Sequence, residues 1–557
     1  MILFFKIFLT IILFRTLNIY RLSKLVEFFH LSQDPFKMKD LKDLSLQEKI
    51  GQLFIIRVKG LELTDETKKM IREDKIGNFV IFANNYQNIT QISKLIDDIY
   101  QEVISSTGIM PFIAIDQEGG NTVRIKDKST YYPGPMTISA TELSNAKEIG
   151  HMMGKHLISL GININFAPLL DINNNPENPV INTRSFSDQI DIVNKYGLEM
   201  IKAMQEEGII ASGKHFPGHG DTEVDSHLGL PILNFDKKRI YSMELKPFKE
   251  AINFGVKNIM TAHIIFKEID KENPATISKE IMTGILRKEL NYNGLITSDS
   301  MDMKAISNGI TTPVGVVKGL KAGIDIVCVL KKKSIYDSLE KVKQAINDDL
   351  LTIEEIDEKV KRILKHKNEL YSEMKYKYFK NKKKLEIFKD NKYEKKIQNI
   401  VDSSLTFVNG KKLIIKGKTV VYWCQQLPYH NAEDIKSEDL SALFKKEIPI
   451  IDTLEYMQNV YSQELIDKSQ DYETVIFLSF NAFHYPNQVI MINNLNKICN
   501  NFFVISMRNP YDYLKLDKNI NYYTLYESTP NSKRTIIKFL KGEIEAKGKL
   551  PIILNHI

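Results

Sequence analysis

The chain has 557 residues, 43% of them hydrophobic and 26% charged, and a formal net charge of +7. That length exceeds one ordinary hydrophobic core, so two domains are expected, one of them large. The ordinary composition excludes extensive disorder, and so small a charge, drawn from Lys-rich helical stretches, gives no ground for a nucleic-acid partner.

The first segment, residues 1–37, opens with Ile2 to Phe14, apolar except for Lys6, in the manner of an export signal or a membrane anchor. No small-residue cleavage site follows. Arg15, Arg21 and Lys24 lie after the apolar run, where the positive-inside rule disfavours export of the remainder. Met38 offers a second start, ahead of an amphipathic helix that leads into a strand. Two locations therefore stay open: export or membrane association through residues 1–37, or the cytoplasm for a chain that starts at Met38.

From about residue 50 to 330, short apolar β-branched runs alternate with longer segments of helical period, the pattern of βα units around a parallel sheet. The runs are Gln52 to Val58, Gly77 to Ala83, Met110 to Asp116, Ile164 to Asp171, Ile209 to His215, Val256 to His263, Gly294 to Asp299 and Ile324 to Leu330. Eight such runs fit a (β/α)8 TIM-like barrel better than an open doubly wound sheet, and no GxGxxG follows the first. Thr141 with Glu142, and Ser278 with Glu280, read as helix starts.

The barrel unit is expected to span 38–372, ending in a helix over Ile353 to Tyr371. A Lys-rich connector over 373–400 then leads to a smaller α/β layered domain, 401–557, with strands at Thr419 to Trp423, Val475 to Phe480, Phe502 to Met507 and Tyr522 to Tyr526. Cys328, Cys424 and Cys499 are widely spaced in apolar surroundings and form neither a disulfide framework nor a zinc pattern.

Catalytic groups of such a barrel come from the C-terminal ends of its strands. The third run ends in Asp116-Gln117-Glu118-Gly119-Gly120 with Arg124 beyond, the fifth in Lys214-His215, the sixth in His263 and the seventh in Ser298-Asp299-Ser300. A Gly- and Pro-bearing loop, Phe216 to His227, follows the fifth. A lone carboxylate there is usually a helix cap, but several carboxylates, histidines and cations converging on one mouth imply a bound polar ligand. Sugar hydroxyls and amides suit that inventory. A metal site suits it less, because His215, His219 and His227 lack the i, i+4 helical spacing of a metalloprotease. No metal and no cofactor are expected.

Retaining glycoside hydrolysis needs a carboxylate nucleophile and a proton donor. Asp299 at a strand end suits the first role. His227 suits the second, because Asp225 two residues earlier can fix its tautomer and support its imidazolium.

These segments together resemble glycoside hydrolase family 3, and within it the β-N-acetylglucosaminidases, through nearly the whole chain after residue 42. The resemblance rests on IAIDQEGGNTVRI at 113–125, NTRSFS at 182–187, KHFPGHGDTEVDSHLGLP at 214–231, MTAHIIF at 260–266 and ITSDSMDM at 296–303. It implies that Asp116, Arg124, Arg184, Lys214 and His215 grip the terminal sugar, Asp116 by its ring hydroxyls. It also implies that Asp299 is the nucleophile, that His227 is the acid/base and that Asp225 is its partner. The substrate implied is a terminal N-acetylhexosaminide of peptidoglycan or chitin fragments. In the family's β-glucosidases the acid is a glutamate from elsewhere, so the Asp-Ser-His loop separates the two activities. SMRNPYDY at 506–513, YESTP at 526–530 and GEIEAKGKLPI at 542–552 are similar to the second domain of longer members, which is read as structural.

Phosphorolysis is the competing reaction, because a histidine acid tolerates an incoming anion better than a glutamate would, yet no Gly-rich phosphate cradle is evident. A non-catalytic sugar-binding protein is disfavoured, because nucleophile and acid are both present.

Overall fold

A computed structural model describes residues 37–381, 383–425, 433 and 439–554. The apolar N-terminal run therefore lies outside the described residues. Among those described, no helix is long and apolar enough to cross a membrane.

Eight parallel strands close into a barrel. In chain order they are β1 (Phe54–Arg57), β2 (Asn78–Ile81), β3 (Phe112–Ile115), β4 (Ile164–Asn165), β5 (Ile210–Phe216), β6 (Asn258–Thr261), β7 (Leu295–Ser300) and β8 (Ile326–Val329). Each falls on one of the eight apolar runs. The reason is burial on both faces: β2, β3, β5, β6 and β8 are buried at every position, so β-branched runs are continuous rather than alternating. The fourth run ends early as a ladder, because Pro168 has no N–H to donate, and only the Leu169–Lys214 bridge continues it.

Helices cover the outside, and several of their starts carry side-chain caps. Ser45 and Glu48 form a capping box, as do Thr352 and Glu355 at the head of the helix Ile353–Met374. Ser278 accepts from the Ile281 N–H, as expected of a helix start. Thr141 does not cap: the helix begins at Ser144, and the Thr141 hydroxyl donates back to the Ile138 carbonyl, closing the preceding short helix instead.

Most of the Lys-rich stretch after the barrel is helical, ending in Asn391–Ser404. It leads to a six-stranded sheet of β9 (Thr406–Asn409), β10 (Thr419–Trp423), β11 (Ile451–Glu455), β12 (Thr474–Ser479), β13 (Phe502–Ser506) and β14 (Tyr522–Thr524). Its order is β9-β14-β13-β12-β10-β11, parallel except for β9. The two domains share an apolar seam in which Met136 and Ala140 of the barrel pack with Phe483, Tyr511, Tyr526 and Ile552.

Candidate active site

The mouth of the barrel encloses a cavity of about 480 Å³. Its described lining includes Asp116, Glu118, Arg124, Arg184, Lys214, His215, His227 and Asp299, all from the barrel domain. Seven of these are residues that the sequence points to. Asp225, the eighth, stands directly behind His227.

One wall is an ion cluster. Glu118 is buried and accepts two hydrogen bonds from Arg184, Nε at 2.9 Å and Nη2 at 2.8 Å, the paired geometry that a guanidinium offers a carboxylate. Lys214 Nζ lies 2.6 Å from the same carboxylate and 3.1 Å from Asp116 Oδ1, while Arg124 Nη2 stands 3.6 Å from Asp116 Oδ2. Burial alone would raise the Glu118 pKa, but the Arg184 and Lys214 charges outweigh it and hold the group well below the usual carboxylate range. Glu118 thus neutralises and aims two cations, leaving Asp116 as the partly exposed acceptor.

Below it lies Asp171, fully buried after β4. It accepts the His215 backbone N–H at 3.1 Å, the His215 ring Nδ1 at 2.8 Å and the His219 N–H at 2.7 Å. His215 is therefore oriented by its Nδ1, with the rest of the ring lining the cavity. His219 does not reach out as a ligand. Its ring is held between Thr222 and Ser226, and burial, with the His215 charge, lowers its pKa to about 4. The loop packs tightly here: a Cβ on Gly220 would meet the Ile172 carbonyl oxygen at 1.6 Å, so only glycine fits.

The loop then turns at Asp225, whose carbonyl accepts from the N–H groups of Leu228 and Gly229. Its side-chain Oδ1 takes both the backbone N–H and the ring Nδ1 of His227. Burial disfavours the imidazolium, but the hydrogen bond to Asp225 and the charge of Asp299 prevail and raise the His227 pKa. Asp299 is the converse. Burial pushes it up, yet His263, His215, His227 and the Ser300 N–H at 2.6 Å draw it down to about 2. The two groups line one cavity, and each favours the charged form of the other.

His263, two residues past the end of β6, is a support. Its ring nitrogens bond Thr276 Oγ1 at 2.7 Å and the Ser300 carbonyl at 2.9 Å, fixing the turn beside Asp299. Asp302 accepts the N–H groups of Leu330 and Lys331 and so ties the ends of β7 and β8 together. Among the described residues no group of three or more His, Cys, Asp or Glu side chains is arranged to hold a metal ion.

The chain has relatives. Residues 45–366 match the family model described as the glycosyl hydrolase family 3 N-terminal domain. The chain belongs to glycoside hydrolase family 3. Within the family it is similar to Beta-hexosaminidase A of Pseudoalteromonas piscicida, 38% identical over 335 residues, which are 55% of this chain and 56% of that protein. The chain thus spans little more than half the length of that relative. The Beta-hexosaminidase of Haemophilus influenzae is 34% identical over 300 residues, 53% of this chain and 84% of its own. Among solved structures, the family 3 beta-N-acetylglucosaminidase of Paenibacillus sp. str. FPU-7 superposes with a TM-score of 0.83 at 30% identity, covering 92% of this chain and 99% of that one. The two-domain layout is therefore the layout of that family 3 structure.

Asp171 and Glu118 are the organising residues to which the sequence assigns a place but no role. Asp171 closes the fourth run and Glu118 follows Asp116 by two, so both sit at strand ends, but nothing in the sequence names their partners.

Proposed function

We propose that the chain hydrolyses terminal, non-reducing β-linked N-acetyl-D-glucosamine with retention, through a covalent glycosyl-enzyme on Asp299. The observation that carries the reading is the Asp225–His227 pair facing the same cavity as an ionised Asp299. In the first step an Asp299 carboxylate oxygen bonds to the anomeric carbon as the glycosidic C–O bond breaks, and His227 gives its proton to the departing oxygen. Because Nδ1–H is engaged by Asp225, Nε2 is the nitrogen left to hand over that proton. In the second step neutral His227 takes a proton from water, the hydroxide oxygen bonds to the anomeric carbon, and Asp299 leaves as a carboxylate. Asp116, Arg124, Arg184, Lys214 and His215 hold the terminal sugar, Asp116 accepting from ring hydroxyls.

The other sugar unit favours an acidic partner. Arg57, Lys304 and Lys331 are exposed, line the cavity and make no ion pair among the described residues. Lys304 adjoins the His227 loop through the bond from the Ala305 N–H to the Ser226 carbonyl, so it stands where the departing group exits. Three exposed cations on this cavity suit the carboxylates of peptidoglycan fragments better than neutral chitin.

The test is hydrolysis of an aryl β-N-acetylglucosaminide beside the matching β-glucoside, each with and without phosphate. Preference for the acetamido sugar, indifferent to phosphate, is the expected result. Preference for the glucoside would overturn the reading, and formation of a sugar 1-phosphate would make the enzyme a phosphorylase.

A further inference from the structure

The described cavity lining comes from the barrel domain, yet the second domain grips the two loops that build the ion cluster. The first loop joins β3 to the helix Pro135–Ser139 and carries Asp116, Glu118 and Arg124. On its outer side Glu527, buried, accepts the Gly134 N–H at 2.7 Å and the Thr137 hydroxyl at 2.6 Å through one oxygen. Asn121 Oδ1 accepts the Ser528 N–H at 3.0 Å, and Asn531 Nδ2 donates to the Tyr131 carbonyl at 2.9 Å. The approach is possible because Gly120 and Gly134 lie backbone to backbone, where a Cβ on Gly134 would stand 3.2 Å from the Gly120 Cα.

The second loop follows β4 and carries Arg184. Tyr511 donates its hydroxyl to the Asn173 carbonyl at 3.2 Å and accepts from Asn173 Nδ2 at 3.1 Å. Asn173 Oδ1 in turn accepts the N–H of Asn182, the first residue of the turn Asn182–Arg184. The two loops meet where Arg184 clasps Glu118, and Ser139, in the helix that ends the first, donates its hydroxyl to the Phe186 carbonyl of the second.

From this geometry we infer that Glu527 and Tyr511 are positioning residues for the terminal-sugar subsite. The second domain sets the separation of the two loops and thereby the alignment of the Glu118–Arg184–Lys214–Asp116 cluster. The inference rests on the proposed glycosidase activity.

Steady-state kinetics of the full chain with an aryl β-N-acetylglucosaminide, comparing wild type, Tyr511→Phe and Glu527→Ala, tests it. Tyr511→Phe removes only a hydroxyl, so it keeps the test valid should Glu527→Ala fold poorly. KM should rise about three- to tenfold with kcat within about twofold, the effect of losing positioning hydrogen bonds. A scaffold role would lower the fraction of folded enzyme, so kcat would fall with KM unchanged, and that result would overturn the inference. Should wild type turn over the β-glucoside instead, the function reading fails by itself and the same KM comparison is made on that substrate.

Discussion

Asp225 and His227 meet through a single carboxylate oxygen: Oδ1 takes the His227 backbone N–H at 2.8 Å and its ring Nδ1 at 2.7 Å. The backbone bond makes the Asp-Ser-His turn, and the ring bond sets the tautomer, so one side chain both builds the loop and favours the charged form of its histidine. In Asp225→Asn the amide oxygen keeps both bonds but loses the charge that favours imidazolium. In the proposed mechanism the active form needs His227 protonated, so kcat/KM should fall as pH rises through the His227 pKa. The substitution lowers that pKa and should move the basic limb to lower pH, while the acid limb, governed by Asp299 at about 2, stays put. A pH–rate profile checks this, and an unmoved basic limb would remove Asp225 from the role.

His227→Ala should cost about 10²- to 10⁴-fold in kcat on a disaccharide, whose departing alkoxide needs a proton. An aryl glycoside with a good leaving group should lose far less in the glycosylation step. Parallel kinetics on the two substrates read this out. Equal loss on both would argue against proton donation by His227.

Glu118→Gln leaves Arg184 and Lys214 buried beside a neutral amide. Breaking a buried ion cluster at one partner costs about 3–5 kcal/mol, so denaturant unfolding should show a large loss of stability at neutral pH. The sign with pH follows from the depressed folded value. Stability from this carboxylate is complete above the ordinary glutamate range and is lost as pH falls below it. Glu118→Gln should therefore flatten the acid-side decline seen in the wild type. Unfolding midpoints across the acid range measure both effects.

Replacing Lys304 and Lys331 together with alanine should raise KM about three- to tenfold for a substrate with a carboxylate on the departing sugar, and should leave neutral chitobioside unaffected. The wild-type preference should shrink with added salt. Equal KM changes on the acidic and the neutral substrate would dissociate the cations from aglycone choice.

The barrel strands are legible in the sequence because most are buried at every position, which forces continuous β-branched runs such as FIAI and IVCV. β9 and β11 are not. Both are sheet edges with half-exposed positions, so TFVN and IDTLE carry no distinct periodic signal. Within the site, Asp225 and His227 are legible as partners because only Ser226 separates them. Asp171 with His215, 44 residues apart, and Glu118 with Arg184, 66 apart, become partners only when barrel closure brings successive strand ends together. The hold of Tyr511 on Asn173 spans 338 residues and has no local signature at all.

The central claim is that Asp299 forms a bond to the sugar. The measurement that tests it most directly is the mass of the peptide spanning 295–303 after rapid acid quench of His227→Ala turning over an aryl β-N-acetylglucosaminide, where loss of the base slows hydrolysis of the intermediate. The account predicts that this peptide carries one anhydro-N-acetylhexosamine on Asp299, and that the adduct is absent in Asp299→Asn. A sugar adduct on a different residue, or turnover persisting at the wild-type rate in Asp299→Asn, would contradict it.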